Sequence, residues 1–570
     1  MSLKAFKSLW TQTVLNRWLM GLFSLSLLII CSTSALGAIY ETFEELPTLD
    51  FDFIVIGGGT AGNVVANRLT EDSDISVLVL EAGGSTEDVL LAQVPFFCPE
   101  ASPATPLDWN FTTTEQPGLN GRSISYPRGY GLGGSSAINY LLYTRGSSQD
   151  YDRYAQISGD PGWGWEALLP YFQKNERFVA PADHHNTSGE FDPAVHGFDG
   201  VTSVSLPGYP RGTDGLVIQA TEELPDEFPF NLDYNSGYQL GIGWAPSTVG
   251  NGTRSSSETS YLGPAYVSRP NLHVLIHAHV TRILSSNTTS TSVKPTFDSV
   301  EFTQDDGATM QILAPSNLTE IILSAGSIGS PHILLNSGIG DRSELTALGI
   351  QPVLHLPDVG KNLADHPRGF LSGGVGNQAG FLRIPDDAAV VDGEPCAGNE
   401  TAHYEFIFSN GLIRGPVPDT GNYFSVTTVV LCPLSRGNLT INSTDPLEPP
   451  LINPNYFSHQ QDVASMQYAI TSAQKFVTAP VWEDYILGIA TNTTEDDIRD
   501  STGSIFHPIG TASMSPAGAD WGVVDPDLKL KGADGVRVVD ASVLPFLPAG
   551  HTQVPVYAIA ERAADLIRAA

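Results

Sequence analysis

The sequence predicts an α/β fold, α+β overall, in which a Rossmann-like domain is interleaved with a second domain built on an antiparallel sheet plus helices. Three observations predict it. "FDFIVIGGGTAGNVVANRLTEDSDISVLVLEAGG" at 51–84 runs from strand through glycine turn and helix to a second strand. "NYFSVTTVVLCPL" at 422–434 alternates in the way of an antiparallel strand. The C-terminal "VYAIAERAADLIRAA" has the apolar spacing of a helix that packs on the first domain.

In the first segment, Gly57, Gly59 and Gly62 match G-x-G-x-x-G, and Ala61, Val64, Val65 and Leu69 then follow with helical spacing. Gly57 permits a tight turn, Gly59 lets the backbone approach a pyrophosphate, and Gly62 lets helix and strand pack closely. With Thr60 and Ala61 they place unpaired N–H groups of a helix start against an anion. A tight βα turn with nothing bound would account for the glycines alone. It does not account for Glu81, an acid about 20 residues further on at the end of "ISVLVLEAG", placed to accept hydrogen bonds from a ribose. Glu81 in place of a base argues against a 2′-phosphate and so against NADP, leaving FAD and NAD.

The 570 residues, 41% of them apolar, can bury a large core. Sixty-two acids against 28 bases give a net charge of −34, the wrong sign for a nucleic-acid surface or an anionic membrane. Residues 1–37 carry Lys4, Lys7 and Arg17, an apolar run at 18–31, and small residues including Ala35 and Gly37, the pattern of a signal peptide. The run falls short of the ~20 residues of a membrane-spanning helix, so a secreted, extracellular protein with no stable membrane span is expected. Nine N-x-S/T sequons, at Asn110, Asn186, Asn251, Asn287, Asn317, Asn399, Asn438, Asn442 and Asn492, accord with that route. Removal of Cys31 leaves Cys98, Cys396 and Cys432, enough for at most one disulfide. No Cys/His cluster has metal-site spacing; "DHH" at 183–185 reads as a polar loop.

A second glycine-rich stretch, "YPRGYGLGGSSAINYLLYTRGSSQDYDRY" at 126–154, is too distant to belong to the first turn. It is followed by "GSIGSPHILLNSGIG" at 326–340, "PDVGKNLADH" at 357–366, "FHPIGTASM" at 506–514 and "VRVVDASVLPFLPAGHTQVPVYAIAERAADLI" at 536–567. In these ordered blocks, from about residue 50 onward, the sequence resembles the glucose-methanol-choline (GMC) flavoprotein oxidoreductases, and within them secreted aryl-alcohol oxidases. The resemblance implies FAD. It places Gly133, Gly134 and Ser135 near the flavin ring and pyrophosphate, and Asn139 beside the isoalloxazine. Val280, on the strand "LHVLIHAHVTRI", resembles the adenine contact, Asp540 a diphosphate-side residue, and Gln553 and Val554 the segment along the pyrimidine edge. Tyr130 stands where relatives usually carry Arg, Lys or Asn, and Asn139 where aryl-alcohol oxidases have His. Ile138 occupies the position of the flavin-linking His of covalent relatives, so FAD is expected to be non-covalent.

Oxidising an alcohol requires a proton to leave oxygen while hydride leaves the adjacent carbon for flavin N5, so a base must stand beside the flavin. Imidazole suits that task near neutrality. By the resemblance, His507 in "IFHPIGT" is the base and His551 in "PAGHTQVP" hydrogen-bonds the substrate hydroxyl. Pro508 and Gly550 beside them restrict the backbone that carries the rings. Tyr140 and Phe506 resemble the aromatics of a substrate funnel, against which an aromatic alcohol can stack.

The domains read as FAD-binding at 50–150, 260–350 and 505–570, and substrate-binding at 151–259 and 351–504. Residues 365–403 and 485–504, which cover the active site in the family, look shortened. The expected activity is oxidation of primary aromatic or allylic alcohols to aldehydes by a monomeric enzyme, with O2 reduced to H2O2. The alternatives are a sugar dehydrogenase passing electrons to quinones, a cyanohydrin lyase on the same fold in which FAD never cycles, and a non-catalytic flavin-binding protein.

Overall fold

A computed structural model describes residues 38–286, 294–305, 307–369, 376–388, 390, 393–411, 421–489 and 494–570. The segment 1–37 and the sequons Asn287 and Asn492 lie outside the described residues. Among those described, no helix is long and apolar enough to cross a membrane.

Two six-stranded sheets organise the chain. The first is wholly parallel, in the order Ile39–Tyr40, Leu272–Leu275, Val77–Leu80, Phe53–Ile56, Glu320–Leu323, Val536–Val538. Its central strands are buried and, apart from Glu320, which pairs with Arg537, apolar at every position, as a parallel sheet covered on both faces requires. From Phe53–Ile56 the chain proceeds outward through Val77–Leu80 to Leu272–Leu275, and only later adds Glu320–Leu323 on the other side. That reversal opens a crevice at the carboxyl end of Phe53–Ile56, where the glycine turn begins.

The helix Gly62–Leu69 that follows is buried throughout, and the C-terminal helix Gln553–Arg568 packs along it. Their contact is fixed by Glu561, fully buried, which accepts hydrogen bonds from the Arg68 guanidinium and the Tyr261 hydroxyl and pairs with Lys174 at 3.0 Å. One buried acid with three donors has the satisfied surroundings that a buried charge needs.

The second sheet is antiparallel, in the order Gly503–Ser504, Pro367–Arg368, Phe424–Val430, Tyr404–Asn410, Gln378–Leu382, Gly241–Trp244. The alternating segment at 422–434 thus supplies one of its central strands. Helix Gln460–Phe476 covers one face, where Ala469, Ala473 and Phe476 join Tyr404, Phe406 and Phe408 in an apolar cluster. A disulfide joins Cys396 to Cys432, and Cys98 is a buried free thiol.

One expected strand is two. "LHVLIHAHVTRI" divides into Leu272–Leu275, in the parallel sheet, and His279–Ser285, in a separate three-stranded antiparallel sheet. The break falls at His277, whose φ of 55° turns the chain, after which the Ala278 N–H donates to the Glu81 carbonyl. Val280 therefore lies past the turn, on the second piece.

Candidate active site

A cavity of about 340 Å³ runs between the carboxyl ends of the parallel strands and the antiparallel sheet. At one end its wall is largely backbone. Gly57 has φ +99°, and a Cβ there would stand 2.6 Å from the Ser324 carbonyl oxygen. At Gly62 a Cβ would meet the Gly57 carbonyl oxygen at 2.0 Å, so any side chain would push the helix off the turn. Gly59, Thr60 and Ala61 line the cavity itself, and Ala61, the helix N-cap, offers no side-chain acceptor to the first N–H groups of the helix. Glu81 also lines it, with Oε2 accepting from the Gly58 N–H at 2.8 Å and Oε1 from the Gly83 N–H at 2.9 Å. Burial raises its pKa against these hydrogen bonds.

Further along the wall stand Gly134, Ser135, Asn139, Val280, Asp540 and Gln553. Asp540 Oδ2 accepts from the Ser330 hydroxyl at 2.6 Å and the Gly326 N–H at 2.9 Å, tying the start of helix Gly326–Asn336 to the strand Val536–Val538. Asn139 donates from Nδ2 to Gln553 Oε1 at 2.7 Å and accepts at Oδ1 from Arg254 Nη1 at 2.7 Å. Arg254, buried and without a described carboxylate partner, is a residue the sequence did not single out; burial brings its pKa down to about 10.

Three residues expected at the cofactor do not reach the cavity wall. Gly62 packs helix on turn, Gly133 is a left-handed turn residue whose N–H donates to the Gly58 carbonyl, and Val554 is buried in the main apolar core. Each supports a wall residue that is its neighbour in sequence.

At the other end the wall is made of side chains. His507 and His551 lie with ring centroids 4.6 Å apart and planes inclined by 65°. Phe506 and Tyr140 line the same end, with Arg368, Gln378 and Thr427 from the antiparallel sheet. Phe506 adopts φ +68°, a conformation L-residues adopt at a cost. It is held there by its N–H to Ser504 Oγ at 2.6 Å and by Arg128 Nη2 donating to its carbonyl at 2.7 Å.

Three partners of the histidines were not singled out from the sequence. Glu405, fully buried on the strand Tyr404–Asn410, accepts at Oε1 from His551 Nε2–H at 3.0 Å. His366 Nδ1 is 3.0 Å from His507 Nδ1. Asp365 accepts at Oδ1 from the His507 backbone N–H at 2.8 Å, and at Oδ2 from the hydroxyls of Tyr126, Tyr456 and Ser504 at 2.7, 2.5 and 2.5 Å. Asp365 and His366 close the quoted block "PDVGKNLADH"; an acid beside an imidazole there was the available signal. Glu405 is the one charged residue of its strand, with no motif around it.

Burial lowers the pKa of His507 well below the usual imidazole range, and the neighbouring His551, His366, Arg128 and Arg368 disfavour its cation further. The ring is therefore neutral and able to accept a proton. His551 Nε2 is occupied by Glu405, so a hydrogen bond from this ring to a substrate hydroxyl has to use Nδ1.

The other expected sites are peripheral. Asn110, Asn186, Asn251, Asn317, Asn399 and Asn442 are exposed, whereas Asn438 is half-buried within the paired strand Asn438–Thr440. In the loop at 183–185, His185 is held between Asp183 at 2.6 Å and Glu190 at 3.0 Å. Glu394, Cys396 and His403 bring three possible metal-ligand atoms together, but the Cys396 sulfur is bonded to Cys432.

This layout has counterparts. GMC oxidoreductase family models match residues 51–368 and 433–560. The chain belongs to the GMC oxidoreductase family, and it is an FAD-dependent oxidoreductase acting on alcohols or sugars. It is 39% identical to the dehydrogenase eriK of Hericium erinaceus over 95% of this chain and 98% of that one. It is 40% identical to a pyranose dehydrogenase of Agaricus xanthodermus over 94% and 96%. A fungal aryl-alcohol oxidase structure superposes with a TM-score of 0.77 at 26% identity, covering 91% of this chain and 99% of the other.

Proposed function

We propose that the protein oxidises a CH–OH group of a small alcohol, His507 taking the hydroxyl proton. The observation that carries this reading is the meeting of two imidazoles, 4.6 Å apart, at one end of a cavity whose other end is the glycine turn. The residues present fit FAD: Gly59, Thr60 and Ala61 leave backbone open to a pyrophosphate, Glu81 stands at the ribose position, and Asn139 and Gln553 flank the approach to the histidines. When bound, FAD supplies the acceptor for the hydride. Ile138, at the cavity wall, has no nucleophile with which to link it, which supports non-covalent binding.

The neutral His507 ring accepts the proton as the O–H bond breaks, so hydride departs from an alkoxide-like carbon with no positive charge built on it. His551, anchored by Glu405, fixes the oxygen. Asp365 holds the His507 backbone. Tyr140 and Phe506 support primary aromatic or allylic alcohols as substrates, with O2 as acceptor and H2O2 as product. A second reading rests on Gln378, Thr427 and Arg368 at the same end and on the likeness to pyranose dehydrogenases: a sugar substrate with a quinone acceptor. A secreted, glycosylated protein accords with the leader-like segment and exposed sequons under both readings.

Anaerobic mixing of the flavin-loaded protein with p-methoxybenzyl alcohol, and separately with glucose, tests this. Bleaching by the aromatic alcohol and peroxide formation on adding air are expected. Bleaching by glucose alone, with quinone reoxidising the flavin faster than O2, establishes the second reading. If neither these nor other alcohols bleach it, the redox reading is wrong and a lyase takes its place.

A further inference from the structure

His366 lies behind His507, fully buried, and its hydrogen bonds determine which nitrogen of His507 carries a proton. His366 Nε2 is 3.0 Å from the Leu431 carbonyl oxygen, which can only accept, so Nε2 bears the hydrogen. No carboxylate hydrogen-bonds either ring nitrogen among the described residues. Burial, with His551 and Arg436 nearby, pushes its pKa down to about 3, so the ring is neutral and its Nδ1 holds a lone pair. The 3.0 Å approach of His507 Nδ1 to that lone pair is then a hydrogen bond only if His507 Nδ1 carries the proton. The reverse arrangement would turn the His366 Nε2 lone pair onto the Leu431 carbonyl.

We infer that His366 is a positioning residue that locks His507 as the Nδ1–H tautomer, leaving Nε2 as the atom that takes the substrate's hydroxyl proton. This rests on His507 being the base. In the step, the substrate O–H bond breaks and an N–H bond forms at His507 Nε2, while the His507 Nδ1–H stays hydrogen-bonded to the His366 Nδ1 lone pair. Because His366 ends on a carbonyl, the proton cannot pass further along this chain and remains on His507. A ring free to exchange tautomers would spend part of its time with Nε2 protonated and unable to accept.

The groups facing the two rings are His551, Arg128 and Arg368 around His507, and His551, Arg436 and the Leu431 and Pro548 carbonyls around His366. The nearby carboxylate of Asp365 is engaged by the His507 backbone N–H and three hydroxyls, and among the described residues no carboxylate hydrogen-bonds the His507 ring to draw its proton to Nε2.

The test has two arms on the flavin-loaded protein. With 15N-labelled histidine, the His507 signals, assigned by their loss in His507→Ala, are expected to show a protonated Nδ1 and an unprotonated Nε2. An Nε2–H tautomer overturns the inference whatever the substrate proves to be. In the second arm, His366→Leu removes the acceptor, whereas His366→Gln offers an amide that can donate to Leu431 and accept from His507. Anaerobic flavin reduction is expected to slow about 10–100-fold in the leucine variant with KM nearly unchanged, the range seen when the partner orienting a functional imidazole is lost, and to recover largely in the glutamine variant. Equal rates in the two variants, or losses that track only the melting temperature, overturn it. If no alcohol reduces the flavin of the native protein, the proposed function fails while the nitrogen signals still decide the tautomer.

Discussion

The two ends of the cavity are built by opposite means. At the glycine turn the cavity is faced by backbone, and the residues that shape it, from Gly57 to Gly62, are contiguous in sequence. At the histidine end the working groups are side chains, and His366, Glu405, His507 and His551 come from four separate segments. A backbone cradle is specified by what cannot be added to it, since a Cβ at Gly57 or Gly62 would strike carbonyl oxygen. A side-chain cluster is specified by what cannot be removed. The two ends should therefore fail separately.

His507→Ala is the sharpest way to break that comparison. It should slow anaerobic flavin reduction by about 10²–10⁴-fold, the range for loss of a positioned base, with FAD content unchanged. Loss of FAD in step with activity would show that the ends are coupled. Near-normal reduction would remove His507 from its proposed role.

Glu405→Gln probes the histidine end more finely. The amide carbonyl can still accept from His551 Nε2–H, so geometry is retained while the carboxylate charge is lost. Exchanging a charged for a neutral acceptor should slow flavin reduction by about tenfold. An unchanged rate would make Glu405 an anchor of ring orientation alone, and a loss as large as that of His507→Ala would move the centre of the chemistry to His551.

The same contrast explains what the sequence could disclose. The turn was legible because its requirements are local: three glycines, a helix start and an acid at fixed spacing each state a backbone condition. His507 and His551 were legible only through blocks resembling a family. Glu405 was not, because the strand Tyr404–Asn410 carries no motif that gives its one acid a role; its meaning comes from pairing opposite Val429 and Phe381, which places it under His551. Asp365 and His366 were in view but carried no assignment, since their partners, His507, Tyr456 and Leu431, are distant in sequence. The splitting of 272–283 into two strands was hidden for another reason. Apolar residues recur along the segment on both sides of the break, and the turn at His277 depends on a carbonyl of the neighbouring strand's end, Glu81.

The smallest expected effect is on the acid limb of the pH profile. An imidazole with an ordinary pKa near 6.5 would be only about 3% neutral at pH 5, and a reaction needing it neutral would slow roughly 30-fold. His507 departs from that value in the downward direction, first because burial strips water from its cation, then because His551, His366, Arg128 and Arg368 surround it. A lowered pKa keeps the neutral form populated as pH falls, so the base stays competent well into acid. The rate constant for anaerobic flavin reduction should change by less than about threefold between roughly pH 7.5 and 5. Stopped-flow measurement at saturating alcohol checks it, with protein stability followed in parallel so that unfolding is not read as titration. A fall of roughly 30-fold would mean that the proton goes to an imidazole in ordinary contact with water, which His507 is not.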